Sequence, residues 1–202
     1  MVISIKCLMT IIDMHMHLRY RSRCSKLSPS DINDNLSHRF DAICITDHWV
    51  MDPLKNNPFN HNLQVFYGIE ISCDFGDILA YGIQWIPLRR RMIKAEYIID
   101  YIHKQDGIAI CAHPFSNRHE GFGEYIYEFD FDAIEINGAL DKEFNNKAKK
   151  AAEEMDLPTI GGSDAHSMRQ LNTIGTQFGV PINSLSDIIK AVKDKKCKDI
   201  VI

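Results

Sequence analysis

The chain has 202 residues, of which 45% are hydrophobic and 25% charged, and its formal net charge is −4. This composition is typical of a globular protein and excludes a disordered or collagen-like chain. The small negative charge gives no sign of a surface for nucleic acid or anionic membranes. The length predicts a single domain over residues 1–202. Six scattered cysteines without a CxxC pair, together with a start that lacks signal-peptide features and no run long enough to span a bilayer, predict a cytoplasmic protein.

Strand-like and helix-like segments alternate along the chain. Apolar runs predict strands at 2–12, 40–46, 65–72, 78–86, 108–112, 131–136, 158–161, 173–180 and 199–202. Helical periodicity and start signals predict helices from Ser28 onward and at 92–105, 141–155 and 184–196. Residues 73–77 have the composition of a hairpin turn. Repeated β-then-α order predicts an α/β fold with a mostly parallel sheet, either open or closed as a barrel.

Ionisable side chains follow the apolar strands. The first strand ends in Asp13-x-His15-x-His17, and later strand ends carry Asp47-His48, Glu70, His113, Glu135 and Asp164-Ala165-His166. The carboxyl ends of parallel strands meet at one rim, so we expect these groups to converge. Each alone is compatible with a loop cap or a satisfied buried acid. Together they would be costly to bury without a neutralising cation, and a mixed His/carboxylate set suits Zn, Mn or Fe.

In this order the motifs resemble the PHP (polymerase and histidinol phosphatase) superfamily. The similarity covers the chain from about its start to residue 178, and the short length resembles small stand-alone members. The resemblance implies a distorted (β/α)7 barrel, similar to a TIM barrel, with a two- or three-metal site at its carboxyl rim. It also implies hydrolysis of phosphoesters.

The resemblance further implies a ligand for each metal position. His15 and His17 would bind the first metal with Asp164, Glu70 would bridge to a second metal held by His113, and His48 and His166 would hold a third. The sequence departs from the family pattern at two places. Cys24 stands in a loop where many relatives carry an acid or His, and Asp77 follows Gly76 where relatives often have Gly-His. Both are additional candidate ligands.

The expected activity is that of a metal-dependent phosphoric ester hydrolase acting on a phosphomonoester, nucleotide or short oligonucleotide. Two or three divalent ions (Mn, Zn or Fe) would activate a water molecule, with Glu70, Asp164 and His166 as catalytic residues. We expect a small phosphorylated substrate and no membrane or stable nucleic-acid partner. Two alternatives stay open: an amidohydrolase-like metal-dependent hydrolase, and a non-catalytic metal-stabilised binding module.

Supporting roles fall to arginines and to residues beside the ligands. Asp47 or Glu135 could orient a ligand histidine, and His119 could protonate the leaving group. The candidates for phosphate contact, for each of which a solvated loop charge is an equal alternative, are Arg19, Arg21, Arg23 and Arg118.

Overall fold

The computed structural model describes residues 9–88, 93–117 and 121–202. In these ranges the strands are β1 (Thr10–Asp13), β2 (Ala42–Ile45), β3 (Gln64–Tyr67), β4 (Ile69–Ser72), β5 (Asp77–Tyr81), β6 (Ile108–Cys111), β7 (Ala133–Asn137), β8 (Thr159–Gly162), β9 (Ile174–Phe178) and β10 (Cys197–Val201). The α-helices are α1 (Pro29–Asn35), α2 (Ala95–His103), α3 (Lys142–Glu154) and α4 (Leu185–Lys193). Two short 3₁₀ helices span Gly123–Glu128 and Met168–Gln170.

The ten strands form two mixed sheets of five strands each within the described residues. The first sheet has the order β10-β9-β1-β2-β3, and the second has the order β4-β5-β6-β7-β8. Strands β1, β2 and β3 run parallel, as do β6, β7 and β8. The remaining pairs, β1–β9, β9–β10, β4–β5 and β5–β6, are antiparallel.

The α/β class is as predicted, but the predicted distorted (β/α)7 barrel is wrong. The strand ladders of the described residues form two sheets and do not close into a barrel. One reason is that β4 and β5 are joined by a hairpin turn and not by a crossover helix, which makes them antiparallel. Another is that β9 pairs with β1, so the end of β8 contacts only the segment that follows β1. The sheets touch through the isolated bridges Met16–Ala165 and His48–Glu70.

Gly68 is the corner at which the chain passes from one sheet to the other. The predicted strand at 65–72 is split there into β3, which pairs with β2, and β4, which pairs with β5. A Cβ at Gly68 would lie 2.6 Å from Cε1 of Tyr81 and 2.9 Å from the Ala80 carbonyl oxygen. The absence of a side chain therefore allows the buried Tyr81 ring to pack against this corner.

The helices are held by local caps and by apolar faces that pack on the sheets. Ser28 caps α1 in a capping box with Asp31, as its sequence predicted, and Ser184 caps α4 in the same way with Asp187. The buried face of α3 consists of alanines at helical spacing, which brings the helix close to β7.

No helix among the described residues is long and apolar enough to cross a membrane. The single domain and the cytoplasmic location stay predictions.

Candidate metal centre

The predicted site residues converge where the two sheets meet. The described members of this group, which we call the imidazole–carboxylate cluster, are His15, His17, His48, Glu70, Asp77, His113, Asp164 and His166. His15 and His17 follow β1, and the bridge between Met16 and Ala165 draws the end of β8 beside them. The bridge between His48 and Glu70 joins the end of β2 to β4 in the same way. The backbone thus places candidate ligands from both sheets around one buried point.

His15 is fully buried and oriented by Glu135. Its Nδ1 lies 2.7 Å from Oε1 of Glu135, which is itself completely buried in β7. An ionised carboxylate accepts hydrogen bonds, so this contact places the proton on Nδ1 and leaves Nε2 as the ligand atom. Glu135 Oε2 also accepts hydrogen bonds from the His113 backbone N–H at 2.8 Å and from Asn137 Nδ2 at 3.1 Å. One carboxylate therefore fixes residues from three strand ends.

His17 is oriented by a similar relay through Ser22 and Asp47. The Ser22 hydroxyl donates to Asp47 Oδ1 at 2.7 Å, so its oxygen accepts from His17 Nδ1 at 3.1 Å. Asp47 Oδ1 also accepts from the Leu18 backbone N–H at 2.8 Å, and its other oxygen accepts from Arg21 Nε at 2.6 Å. As at His15, Nε2 is the ring atom that points into the cluster.

Glu70 stands at the centre of the cluster and is 1% exposed. Its Oε1 lies 3.2 Å from His113 Nε2 and 3.5 Å from His15 Nε2, whereas its Oε2 lies 2.9 Å from His48 Nδ1 and 3.2 Å from His17 Nε2. Despite this crowding, Oε2 makes no hydrogen bond of acceptable geometry within the described residues. A buried carboxylate oxygen without a hydrogen bond destabilises the fold unless a positive group, such as a cation, lies between it and the rings.

Asp164 faces the first two histidines from the end of β8. Its Oδ1 lies 3.4 Å from His17 Nε2 and 3.5 Å from His15 Nε2. Its Oδ2 accepts from Asn137 Nδ2 at 3.3 Å, and its backbone N–H donates to the His15 carbonyl at 2.8 Å. Its φ of 50° is unusual for a residue other than glycine. This backbone conformation turns the carboxylate into the cluster.

The ligand atoms fall into three overlapping groups. Within each group they lie within 4.8 Å of one another: His15, His17 and Glu70; Glu70, Asp77 and His113; and His17, His48 and His166. Glu70 belongs to the first two groups and His17 to the first and third. Asp77 Oδ2 lies 3.8 Å from His113 Nε2, so this departure from the family pattern takes part in the second group.

His166 and Cys24 lie at the open side of the cluster. His166 Nδ1 lies 2.9 Å from the Asp164 carbonyl oxygen, which can only accept, and its Nε2 lies 3.2 Å from Cys24 Sγ. Cys24 is exposed and His166 is partly buried, whereas His15 and His17 are inaccessible to solvent. Partial burial and the nearby carboxylates of Glu70, Asp164 and Asp47 raise the pKa of the Cys24 thiol.

The electrostatics of the cluster follow from the packing of rings against carboxylates. Burial opposes protonation of His15, yet Glu135, Asp164 and Glu70 hold its pKa well above the usual value. Burial likewise opposes protonation of His113, but Glu70 raises its pKa to about 9. Burial alone would raise the pKa values of Glu70 and Asp164, but both are lowered because His15 and its neighbours stabilise the ionised carboxylates. The carboxylates of the site therefore stabilise positive charge placed between them.

Of the arginines predicted to contact phosphate, some are exposed and available, and one is paired with other groups of the protein. Arg21 is committed to Asp47 and to the Asp52 carbonyl oxygen, which Nη2 contacts at 2.8 Å. Arg19 and Arg23 are exposed on the loop that carries Cys24, and the Arg19 guanidinium lies 5.1 Å from the Tyr20 ring centroid. Arg118 and His119 lie outside the described residues.

Sequence reasoning missed two supporting residues, Ser22 and Asn137. No motif marks Ser22, because its role depends on how the loop after His17 folds against Asp47. Asn137 had a signal: it is a polar residue at the end of an apolar strand, two positions after Glu135. Of the remaining histidines, His38 and His61 are exposed, and His103 pairs with Asp132 at 2.9 Å.

Comparisons with known proteins show similarity in the C-terminal part of the chain and in the fold. Residues 142–197 match the PHP-associated family (PHP_C). The uncharacterized protein MJ1587 of Methanocaldococcus jannaschii is 25% identical over 146 residues, which cover 65% of this chain and 83% of the archaeal protein.

Two solved structures share the fold. PsfC from Pseudomonas syringae superposes with a TM-score of 0.74 at 17% identity, covering 97% of this chain and 93% of its own. A proposed metal-dependent phosphoesterase from Bifidobacterium adolescentis has a TM-score of 0.58 at 14% identity, covering 78% and 88%.

The fold and the cluster define an α/β protein with a buried set of imidazole and carboxylate groups, which are candidate metal ligands, at the junction of two sheets. The ordered motifs through Asp164-Ala165-His166 resemble those of the PHP superfamily, and residues 142–197 match the PHP-associated family.

Proposed function

We propose that this protein is a metal-dependent phosphoric ester hydrolase that acts on a phosphomonoester, nucleotide or short oligonucleotide. The observation that carries the proposal is the position of Glu70, whose two carboxylate oxygens each face two imidazole rings inside a buried cluster. A carboxylate so placed can bridge two cations. The Bifidobacterium protein, a proposed metal-dependent phosphoesterase, has a similar fold and supports the same chemistry.

The residues present fit divalent metal ions. Neutral imidazole nitrogens and carboxylate oxygens are the donor set of Zn, Mn and Fe. Glu135, Ser22 and the Asp164 carbonyl fix the Nδ1 atoms of three histidines, which leaves their Nε2 atoms as ligands. The unsatisfied Oε2 of Glu70 would gain a partner. We therefore propose two or three ions held by the imidazole–carboxylate cluster.

Bound metals of this kind lower the pKa of water and offset the charge of a phosphoryl group during its transfer. The protein contributes residues that would hold the metals and residues that would contact the phosphoryl group. Glu70 and Asp164 hold negative charge in the buried half of the site, and His166 lies at the mouth, where it can reach a substrate. Arg19 and Arg23 are exposed on the loop of Cys24 and are proposed to contact phosphate oxygens bidentately.

The test compares the wild-type protein with His15→Ala. We expect hydrolysis of p-nitrophenyl phosphate or bis-p-nitrophenyl phosphate in the presence of Mn²⁺, and its loss on chelation. Removal of a ligand should lower kcat/KM at least about 100-fold, because even changes behind a ligand cost 10–100-fold.

The matched control is His38→Ala, which removes an exposed imidazole. It should retain wild-type turnover. Equal turnover by wild type and His15→Ala would overturn the proposal, and so would wild-type turnover that chelation leaves unchanged. Hydrolysis of an amide or ester substrate panel without any phosphoester turnover would instead favour an amidohydrolase-like enzyme.

A further inference from the structure

A side chain of α3 completes the strand that ends beside the imidazole–carboxylate cluster. Strand β6 pairs with β7 only as far as Ile134, so strand pairing on this edge does not reach Asn137. Asn145 of α3 takes its place. Its Oδ1 accepts a hydrogen bond from the Asn137 backbone N–H at 2.9 Å, and its Nδ2 donates to the Asn137 carbonyl oxygen at 2.8 Å. One amide therefore satisfies both backbone groups of a fully buried residue.

The Asn137 side chain is in turn held in one orientation. Its Oδ1 accepts from the Ala139 backbone N–H at 2.9 Å, so its Nδ2 is the end that faces the cluster. Nδ2 has two hydrogens, and it donates to Glu135 Oε2 at 3.1 Å and to Asp164 Oδ2 at 3.3 Å. Asn137 thus joins the carboxylate that orients His15 to the carboxylate at the end of β8.

The two oxygens of Asp164 have different surroundings as a result. Oδ2 accepts the hydrogen bond from Asn137, whereas Oδ1 lies 3.4 Å from His17 Nε2 and 3.5 Å from His15 Nε2. Rotation of the carboxylate away from Asn137 would leave a buried N–H without this acceptor, which is unfavourable. The Asn137 amide therefore holds Oδ1 toward the rings.

We propose that Asn145 is a positioning residue for the metal centre. Through Asn137 it holds Asp164 with Oδ1 toward the first ligand group, so that this single oxygen binds the ion. Helix α3, which lies in the segment that matches the PHP-associated family, would then take part in metal binding from behind the cluster. This inference rests on the metal centre of the proposed function but not on its phosphoesterase activity.

The metal affinity of the folded protein tests this role. Asn145→Ala removes both hydrogen bonds to the Asn137 backbone. We expect its affinity for Mn²⁺ to fall about 10-fold, the lower end of the range for changes behind a ligand. Competition with a chromophoric chelator measures the affinity at a temperature at which circular dichroism shows each variant to be folded. Asn146→Ala, which changes the exposed next residue of α3, is the matched control and should bind as the wild type does.

A purely structural role of Asn145 would give a different result. It would lower the unfolding temperature of metal-free Asn145→Ala and leave the Mn²⁺ affinity of the folded variant equal to that of the wild type. Equal affinities would therefore overturn the inference.

A double-mutant cycle tests whether Asn145 acts through Asn137. Asn137→Ala should lower the Mn²⁺ affinity about 10–100-fold, and the double variant should lose no more than Asn137→Ala alone. Losses that multiply in the double variant would show that Asn145 acts by another route, and would also overturn the inference. If Asn137→Ala does not fold, the comparison of Asn145→Ala with Asn146→Ala decides.

The outcomes separate this inference from the proposed function. Equal Mn²⁺ affinities of the wild type and Asn145→Ala would leave the phosphoesterase proposal standing. Weaker binding by Asn145→Ala, in a protein whose wild type shows no phosphoester turnover, would support the inference and overturn the proposed function. Absence of any metal binding by the wild type would overturn both.

Discussion

At the scale of single residues, each buried histidine of the first ligand group is held by a partner behind it. Glu135 holds His15 directly, and Asp47 holds His17 through the Ser22 hydroxyl. These partners determine which ring nitrogen carries the proton, and therefore which one can bind a metal. The metal affinity of the proposed site should therefore depend on residues that do not contact the ion.

Replacement of Glu135 by Gln tests this dependence. The amide keeps the size of the side chain but removes the charge that fixes the Nδ1 proton of His15. We expect metal affinity to fall about 10–100-fold. Competition with a chromophoric chelator measures it.

Glu153→Gln is the control, since Glu153 is an exposed glutamate of α3. It should bind metal as the wild type does. Unchanged affinity in Glu135→Gln would show that Glu135 does not orient the ligand.

The candidate ligands could be predicted from sequence because each is next to an apolar run that forms a buried strand. Ile43-Cys44-Ile45 predicts β2, and the residues that follow it must then lie at the rim. Ser22 could not be predicted, because no strand precedes it and only the folded loop brings it between His17 and Asp47. The proposed ligand roles themselves stay predictions until metal binding is measured.

At the scale of elements, the hairpin between β4 and β5 determines how the site is built. It brings Asp77, the first residue of β5, opposite Ser72 at the end of β4. The sequence at 73–77 predicted this turn, and the apolar runs predicted the strands. Strand order and direction could not be predicted in the same way, because β9 pairs with β1 across 160 residues of sequence or more. Local sequence patterns do not distinguish this pairing of β9 with β1 from the closure of a barrel.

The corner at Gly68 gives a prediction for stability. In Gly68→Ala the added methyl would overlap the Tyr81 ring and the Ala80 carbonyl oxygen, and this part of the fold is fully packed. We expect a loss of about 1–3 kcal/mol in the free energy of unfolding, the usual cost of overpacking. Urea unfolding followed by circular dichroism gives the value from the midpoint and slope.

Gly179→Ala is the matched control, because a Cβ there would meet only the Lys196 carbonyl oxygen at 3.7 Å. It should unfold near the wild-type midpoint. Similar midpoints for both variants would contradict the role assigned to the corner.

At the scale of the whole molecule, the cluster is a polar contact between two sheets that also share an apolar core and two isolated bridges. Ligands from both sheets surround Glu70, so a cation bound there would hold the sheets together. Metal that binds only the folded state must raise its stability. The same interactions that suit catalysis would therefore support the fold.

Thermal unfolding should show the stabilisation of the folded state by bound metal. At a free metal concentration of 100 times Kd, the stabilisation is about 2.7 kcal/mol, which for a chain of this size corresponds to roughly 5–10 °C in Tm. We expect this rise with Zn²⁺ or Mn²⁺ and its reversal on chelation, measured by differential scanning calorimetry.

His113→Ala should lose most of the rise, whereas His61→Ala, which changes an exposed histidine, should keep it. An equal rise in His113→Ala would mean that metal stabilises the protein from elsewhere.

The position of the ligands along the chain also sets the order of events during synthesis. His15 and His17 emerge first, but Asp164 and His166 come only after most of the chain has been made. Bringing these ends together requires closure of a loop of that length, which is entropically costly until the intervening strands have paired. A nascent chain therefore holds half a site. If the cluster binds metal as proposed, loading would belong to the last stage of folding, after the ribosome has released the segment that completes the cluster.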